Sequence, residues 1–255
     1  MWFLGDINLF MLGHIEREFR KSGKGGLARI IGGVHHILGK DIPFPISEQL
    51  LNLEDATREY KDKSTNPETL TQFMYTLWQE AGQRIGKNII VDNFLLTSKE
   101  IKEKQEKGYM AIFVPEGVTL VDLGGMFPQM KSTAVQEGNS IEDVVNNSGW
   151  LWVEASGDAP NRNTTQGQLE KKFKKEGKQG QSLRTYIVGG QISKLLNGKY
   201  FDQRQTSSRL LDSSWGGRVL RAYFESGGYL FVGFHLDSED SCVLMGGRSE
   251  EVIKA

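Results

Sequence analysis

The residues of this chain that could do chemistry fall into three groups: four histidines, a single cysteine, and a run of basic side chains between Pro160 and Tyr223. The histidines are His14, His35, His36 and His235, and none sits in an H-E-x-x-H spacing or a similar metal-binding pattern. His35 and His36 are adjacent, so in a helix they point to different sides, and no metal site is expected. His235 is followed by Asp237, Glu239 and Asp240. An imidazole beside carboxylates suits a general base or, with those carboxylates, a cation-binding set. No second catalytic partner can be placed, so a strand-end histidine and an acidic surface turn is the simpler reading. Cys242 precedes Val243-Leu244-Met245, an apolar run in which a thiol is expected to be buried and inert.

Asp158, Asn161 and Arg162 lie in residues 156–163, a loop by composition that leaves an expected strand at 150–154. Loops at strand ends often carry function, and a carboxylate, an amide and a guanidinium can together orient a polar substrate. With His235 they are the candidate catalytic residues of an enzyme of unfamiliar type; an ordinary proline-containing turn accounts for the same residues. Other devices are missing. Gly39-Lys40 is followed by Asp41 rather than Ser or Thr, which excludes a P-loop. No G-x-G-x-x-G follows an expected strand and there is no G-x-S-x-G elbow. No cofactor is expected.

Charge is distributed unevenly. Residues 160–223 hold thirteen Lys and Arg against Glu170, Glu176, Asp202 and Asp212, a net of about +9. The whole chain carries −1, so the remainder is strongly acidic. Lys171, Lys172, Lys175, Arg184, Arg204 and Arg209 are the candidate anion-binding residues. Tyr186, Tyr200, Phe201, Trp215 and Tyr223 lie among them, and aromatics beside cations are the ingredients of a single-stranded nucleic-acid surface. They are equally the ingredients of a core with a solvated rim. Lys171, Lys172, Lys174 and Lys175 surround most of one helix, which favours solvation.

At 255 residues, 38% hydrophobic and 25% charged, the chain has the composition of an ordinary globular protein with room for one large domain or two small ones. One cysteine excludes an internal disulfide and a cysteine zinc site, and fits a reducing, cytoplasmic setting. Residues 1–12 are apolar but interrupted by Asp6 and Asn8, without a basic leader, so a helix packed on the protein is expected there rather than a signal peptide or membrane anchor.

The elements that must position these groups follow from periodicity and punctuation. Residues 218–224 and 229–236 are rich in β-branched and aromatic side chains around Glu225-Ser226-Gly227-Gly228, which predicts an antiparallel hairpin with one buried face. Helices are expected to Phe19, over 27–38, after a Ser47 cap to about Tyr60, and from an Asn66 cap with Pro67 at the first position to Gly86. A strand over 88–96, a charged helix over 98–107, a strand at 109–114 and a short helix over 119–127 come next. Ser140 is read as the cap of a helix through Val145. A lysine-rich helix starts at Thr164 or Thr165, 185–188 is ambiguous, and 191–196 is helical. The sum is an α+β chain: a mostly helical region over 1–107, then a mixed or antiparallel sheet with helices over 108–255.

From Gly108 onward the chain resembles a family of uncharacterised bacterial proteins from uncultivated lineages. The resemblance rests on Phe113-Val114-Pro115-Glu116-Gly117-Val118-Thr119-Leu120-Val121, Val135-Gln136-Glu137-Gly138-Asn139, Asp158-Ala159-Pro160-Asn161, Tyr186-Ile187-Val188-Gly189, Tyr200-Phe201-Asp202 and Gly246-Gly247-Arg248-Ser249-Glu250. It implies no activity, cofactor or catalytic residue. The leading functional expectation is a binding protein whose basic segment meets a nucleic acid or an acidic protein, with no membrane partner. An enzyme of unfamiliar type and a homo-oligomeric structural protein are the rivals.

Overall fold

A computed structural model describes residues 52–143, 147–203, 205–234 and 241–253. The helices expected before residue 39 and the Ser47 cap lie outside them. Among the described residues the chain is α+β, with six α-helices and two sheets. Helix α1 (Leu53–Asp62) is capped by Asn52, whose side chain accepts from the Asp55 amide. Helix α2 (Pro67–Gln83) is capped by Asn66 with Pro67 in its first turn, where proline's missing N–H costs nothing. It ends three residues before Gly86. Helix α3 (Ser98–Glu106) starts on a Thr97–Glu100 capping box and buries only Ile101.

In residues 88–96 Ile89, Val91 and Phe94 are inside, a spacing that slips from two to three residues after Val91, and the segment joins no sheet. Side chains take the place of a ladder. Gln79 Nε2 donates to the Ile89 carbonyl at 2.8 Å, Trp150 Nε1 donates to that of Asp92 at 2.9 Å, and the Phe94 amide donates to Thr71 Oγ1 at 3.1 Å.

The first sheet is antiparallel in the order β1 (Tyr109–Val114), β3 (Gly149–Glu154), β9 (Ser249–Val252), β4 (Gln179–Gly180). Every residue of β1 is buried, as its unbroken apolar run requires of a strand covered on both faces. α3 and α6 (Leu183–Asn197) both pack on it. The second sheet runs β2 (Ile141–Asp143), β5 (Ser207–Trp215), β6 (Arg218–Phe224), β7 (Leu230–Phe234), with β8 (Met245–Gly247) parallel to β5. The segment after Ser140 is thus a strand, not a helix: Ile141 to Asp143 pair with Trp215 to Ser213. Cross-strand partners override the local capping signal.

The β6–β7 hairpin forms as its sequence predicts, and its turn closes through the Glu225 amide donating to the Tyr229 carbonyl at 2.8 Å. Leu220, Ala222 and Phe224 face inward; Val219, Arg221 and Tyr223 face outward. α6 packs on β1 of the first sheet and on β5 and β6 of the second, buried from Leu183 to Ser193, and therefore has no polar stripe. Gly189 and Gly190 allow the approach. A Cβ on Gly190 would meet Phe224 at 2.5 Å, and one on Gly189 would meet Phe201 at 2.7 Å. The remaining helices are α4 (Leu120–Met126) and α5 (Gln166–Lys175), each opened by a capping box, on Thr119 and Thr165. Helices before Gly108 and strands after it bury their apolar faces in one cluster. Trp78 Nε1 donates to the Phe113 carbonyl at 3.0 Å across it. No helix among the described residues is long and apolar enough to cross a membrane.

Candidate functional site

The fold sorts the basic segment into inward and outward charges. Arg184 is 3% exposed and its Nε lies 3.4 Å from Asp143 Oδ2. Arg209 is equally buried and donates through Nη1 to the Thr164 carbonyl. Both were read from sequence as anion-binding residues; burial turns them to internal partners and away from any anion outside. Arg204 and His235 lie outside the described residues. Lys171, Lys172 and Lys175 are exposed on α5, which buries only Leu169 and Phe173. Lys172 donates to Asn161 Oδ1.

Two further arginines lie on aromatic rings. α5 packs against β5, and Arg209 on β5 pairs across the ladder with Arg221 on β6. Paired residues share a sheet face, so Arg221, Tyr223 and Phe231 continue the face that α5 covers. Tyr223 and Phe231 are cross-strand partners stacked at 4.9 Å and 23°, and both are partly exposed. The Arg221 guanidinium sits 5.8 Å from the Phe231 centroid. At the far end of the hairpin Arg218 lies 4.8 Å over Phe234, which meets Trp215 edge-on at 5.7 Å. Trp215 is 47% exposed.

The 156–163 loop is anchored. Asn161, at φ 55°, donates through Nδ2 to the Gly247 carbonyl at 3.0 Å. Asp158 and Arg162 are exposed. Beneath the loop, Arg248 and Asp202 form an ion pair at 2.9 Å with both side chains fully buried. Asp202 also accepts from Tyr186 at 2.9 Å, Ser208 at 2.6 Å and Thr206 at 2.8 Å. Arg248 donates to the carbonyls of Ser156 at 2.8 Å and Glu154 at 3.1 Å and lies 4.1 Å over Phe201. Burial, then the Asp202 charge, pushes the Tyr186 hydroxyl well above its usual pKa. This is a clasp tying loop, turn and strands together. Cys242 is partly exposed rather than buried, because Val243 and Leu244 turn outward at 66% and 56%.

Sequence reasoning passed over Glu250. On β9 it is 1% exposed and its neighbour Glu251 points to the opposite face, where it pairs with Lys104 at 2.6 Å. Burial, aided by Asp212, raises Glu250 to about 7, although Asn147, Thr185 and the Ser182 amide pull the other way. Asp212 is raised as well, by burial and then by Asp143. A Glu-Glu pair on a strand is the one signal that could have pointed here, since alternation forces one carboxylate inward. Among the described residues, no group of three or more His, Cys, Asp or Glu is arranged to hold a metal ion.

Compared with known proteins, the chain matches no family model, no curated protein and no solved structure.

Proposed function

We propose that the protein binds single-stranded nucleic acid on the outer face of the β6–β7 hairpin, beside the lysines of α5. The observation that carries this reading is the partly exposed Tyr223–Phe231 stack with Arg221 over one ring. Aromatic faces accept any base, and neighbouring cations track the phosphates without reading sequence. Lys171 and Lys175 lie on the helix that covers the adjoining part of the same face. We place this activity in the cytoplasm, on the strength of a single cysteine in 255 residues, and assign it to the α+β part of the chain from residue 108.

Fluorescence anisotropy of labelled single-stranded oligonucleotides tests it. Affinity should fall steeply with added salt. Tyr223→Ala should weaken binding by about fivefold to a hundredfold, the worth of one stacked base. Lys171→Glu/Lys175→Glu should flatten the salt slope. Absence of binding at low salt refutes the reading and turns attention to an acidic protein partner, and salt-dependent self-association in its place would favour the homo-oligomer.

A further inference from the structure

Resting on the stacking site proposed above, we infer that Arg221 makes that site select guanine, its terminal nitrogens donating to O6 and N7 of a base laid on the Tyr223–Phe231 stack. The α5 lysines follow phosphates whatever the base, because an ammonium on a flexible stem is a point charge. Arg221 is placed differently, at the rings themselves. It pairs with Arg209 of β5 on one side and with Gly233 of β7 on the other. Like charges directly opposite each other repel, and Arg209 is buried and held by the Thr164 carbonyl, so Arg221 is the one turned toward β7. Gly233 leaves room there. Phe231 leans along its strand into the same space: a Cβ on Gly233 would lie 3.0 Å from Phe231 Cε1. The missing side chain at Gly233 therefore brings guanidinium and ring together.

What this guanidinium lacks is an acceptor. Its Nε is buried without a hydrogen-bond partner, and among the described residues no carboxylate pairs with it. Arg184, Arg209 and Arg248 are each tied to a carboxylate or a carbonyl. The contact with Phe231 answers the charge of Arg221 but none of its N–H donors, which a ring face does not replace. With Nε sealed, Nη1 and Nη2 are the nitrogens left to a ligand. A base resting on the rings brings its edge to this level, while its phosphate lies outside, among the lysines. Guanine offers O6 and N7 side by side, the commonest match for an arginine fork; adenine sets the N6 donor beside N7, and thymine a methyl group beside O4. In cytosine the neighbouring acceptors N3 and O2 lie between an amino group and the sugar.

Fluorescence anisotropy on the full chain tests this with short labelled oligothymidylates that carry one central guanine, adenine, cytosine or 7-deazaguanine. The guanine strand should bind roughly tenfold more tightly than the adenine and cytosine strands. 7-Deazaguanine keeps the ring and O6 but has no N7 acceptor, and should forfeit most of that gain. Arg221→Lys keeps the charge and loses the fork, so guanine should lose its advantage while the salt dependence stays. Equal wild-type affinity for the guanine, adenine and cytosine strands overturns the inference and leaves the stacking reading standing; no binding of any strand overturns both. A guanine preference that survives with 7-deazaguanine or in folded Arg221→Lys overturns it too, as does a preference for another base. So does an Arg221→Lys loss shared equally by every strand, the mark of a phosphate contact. Should that variant not fold, the wild-type comparison of guanine with 7-deazaguanine decides alone.

Discussion

Glu250→Gln should remove most of the pH dependence of this protein's stability between about pH 5 and 8. The native carboxyl titrates near 7 against an ordinary value of 4.5, so the folded state holds a proton that the unfolded chain gives up between those two values. Wherever the folded state binds more protons, stability falls as pH rises. The stabilisation of the protonated form is fully present below about 4.5 and lost on passing about 7. At 1.36 kcal/mol per pH unit the loss amounts to about 3 kcal/mol, a substantial share of a typical domain's stability. Glutamine imitates the protonated acid, because its carbonyl can still accept from Asn147 without carrying a charge into the interior. The variant should match the wild type near pH 5 and exceed it by up to about 3 kcal/mol at pH 8. A smaller slope of the same sign should persist from the half-buried Asp212, also raised. Urea denaturation followed by tryptophan fluorescence from pH 5 to 8 measures this, since Trp78, Trp150 and Trp152 are core residues. A wild-type stability that is flat or rising over that range, or a variant destabilised equally at every pH, refutes the reasoning.

The Arg248–Asp202 clasp predicts a strong double-mutant cycle. Asp202→Asn alone should cost about 3–5 kcal/mol by leaving a fully buried guanidinium without its counter-charge, and Asp202→Asn/Arg248→Met should recover part of that in chemical denaturation. Gly190→Ala should destabilise by about 1–3 kcal/mol, because its Cβ would strike Phe224. A neutral Gly190→Ala result in the same assay would mean that α6 does not lie so close to β6.

Much of the fold was legible wherever local chemistry acts alone. Asn66-Pro67 marked the start of α2, Thr165 that of α5, and the glycines before Tyr229 the hairpin, because capping and turn closure are settled by neighbours in sequence. Ser140 misled for the converse reason. Its capping signal competes with a ladder to residues 213–215, and β2 follows the ladder. Residues 88–96 misled differently: their burial alternates only from Ile89 to Val91 before slipping to Phe94, and side chains of Gln79, Thr71 and Trp150, rather than another strand, bond their backbone.

The site was less legible because charge along a sequence says nothing about depth. Arg184 and Arg209 counted toward a basic surface, yet Asp143, far outside that segment, and the Thr164 carbonyl take them into the interior. Arg248 went further, reaching a fully buried acid within the basic segment itself. With Arg184 and Arg209 turned inward, what remains is the α5 lysines, Arg221 laid on Phe231, Arg218 laid on Phe234 on the opposite sheet face, and scattered cations such as Arg162 and Lys199. That change strengthens the case for a stacking ligand over a purely electrostatic one. A patch of weak net charge holds a polyanion only if something else adds affinity, and the Tyr223–Phe231 stack is the feature placed to add it. Salt dependence and ring substitution should therefore both register in the same binding assay. Loss of the salt response with the ring effect intact would leave stacking, rather than charge, as the source of binding.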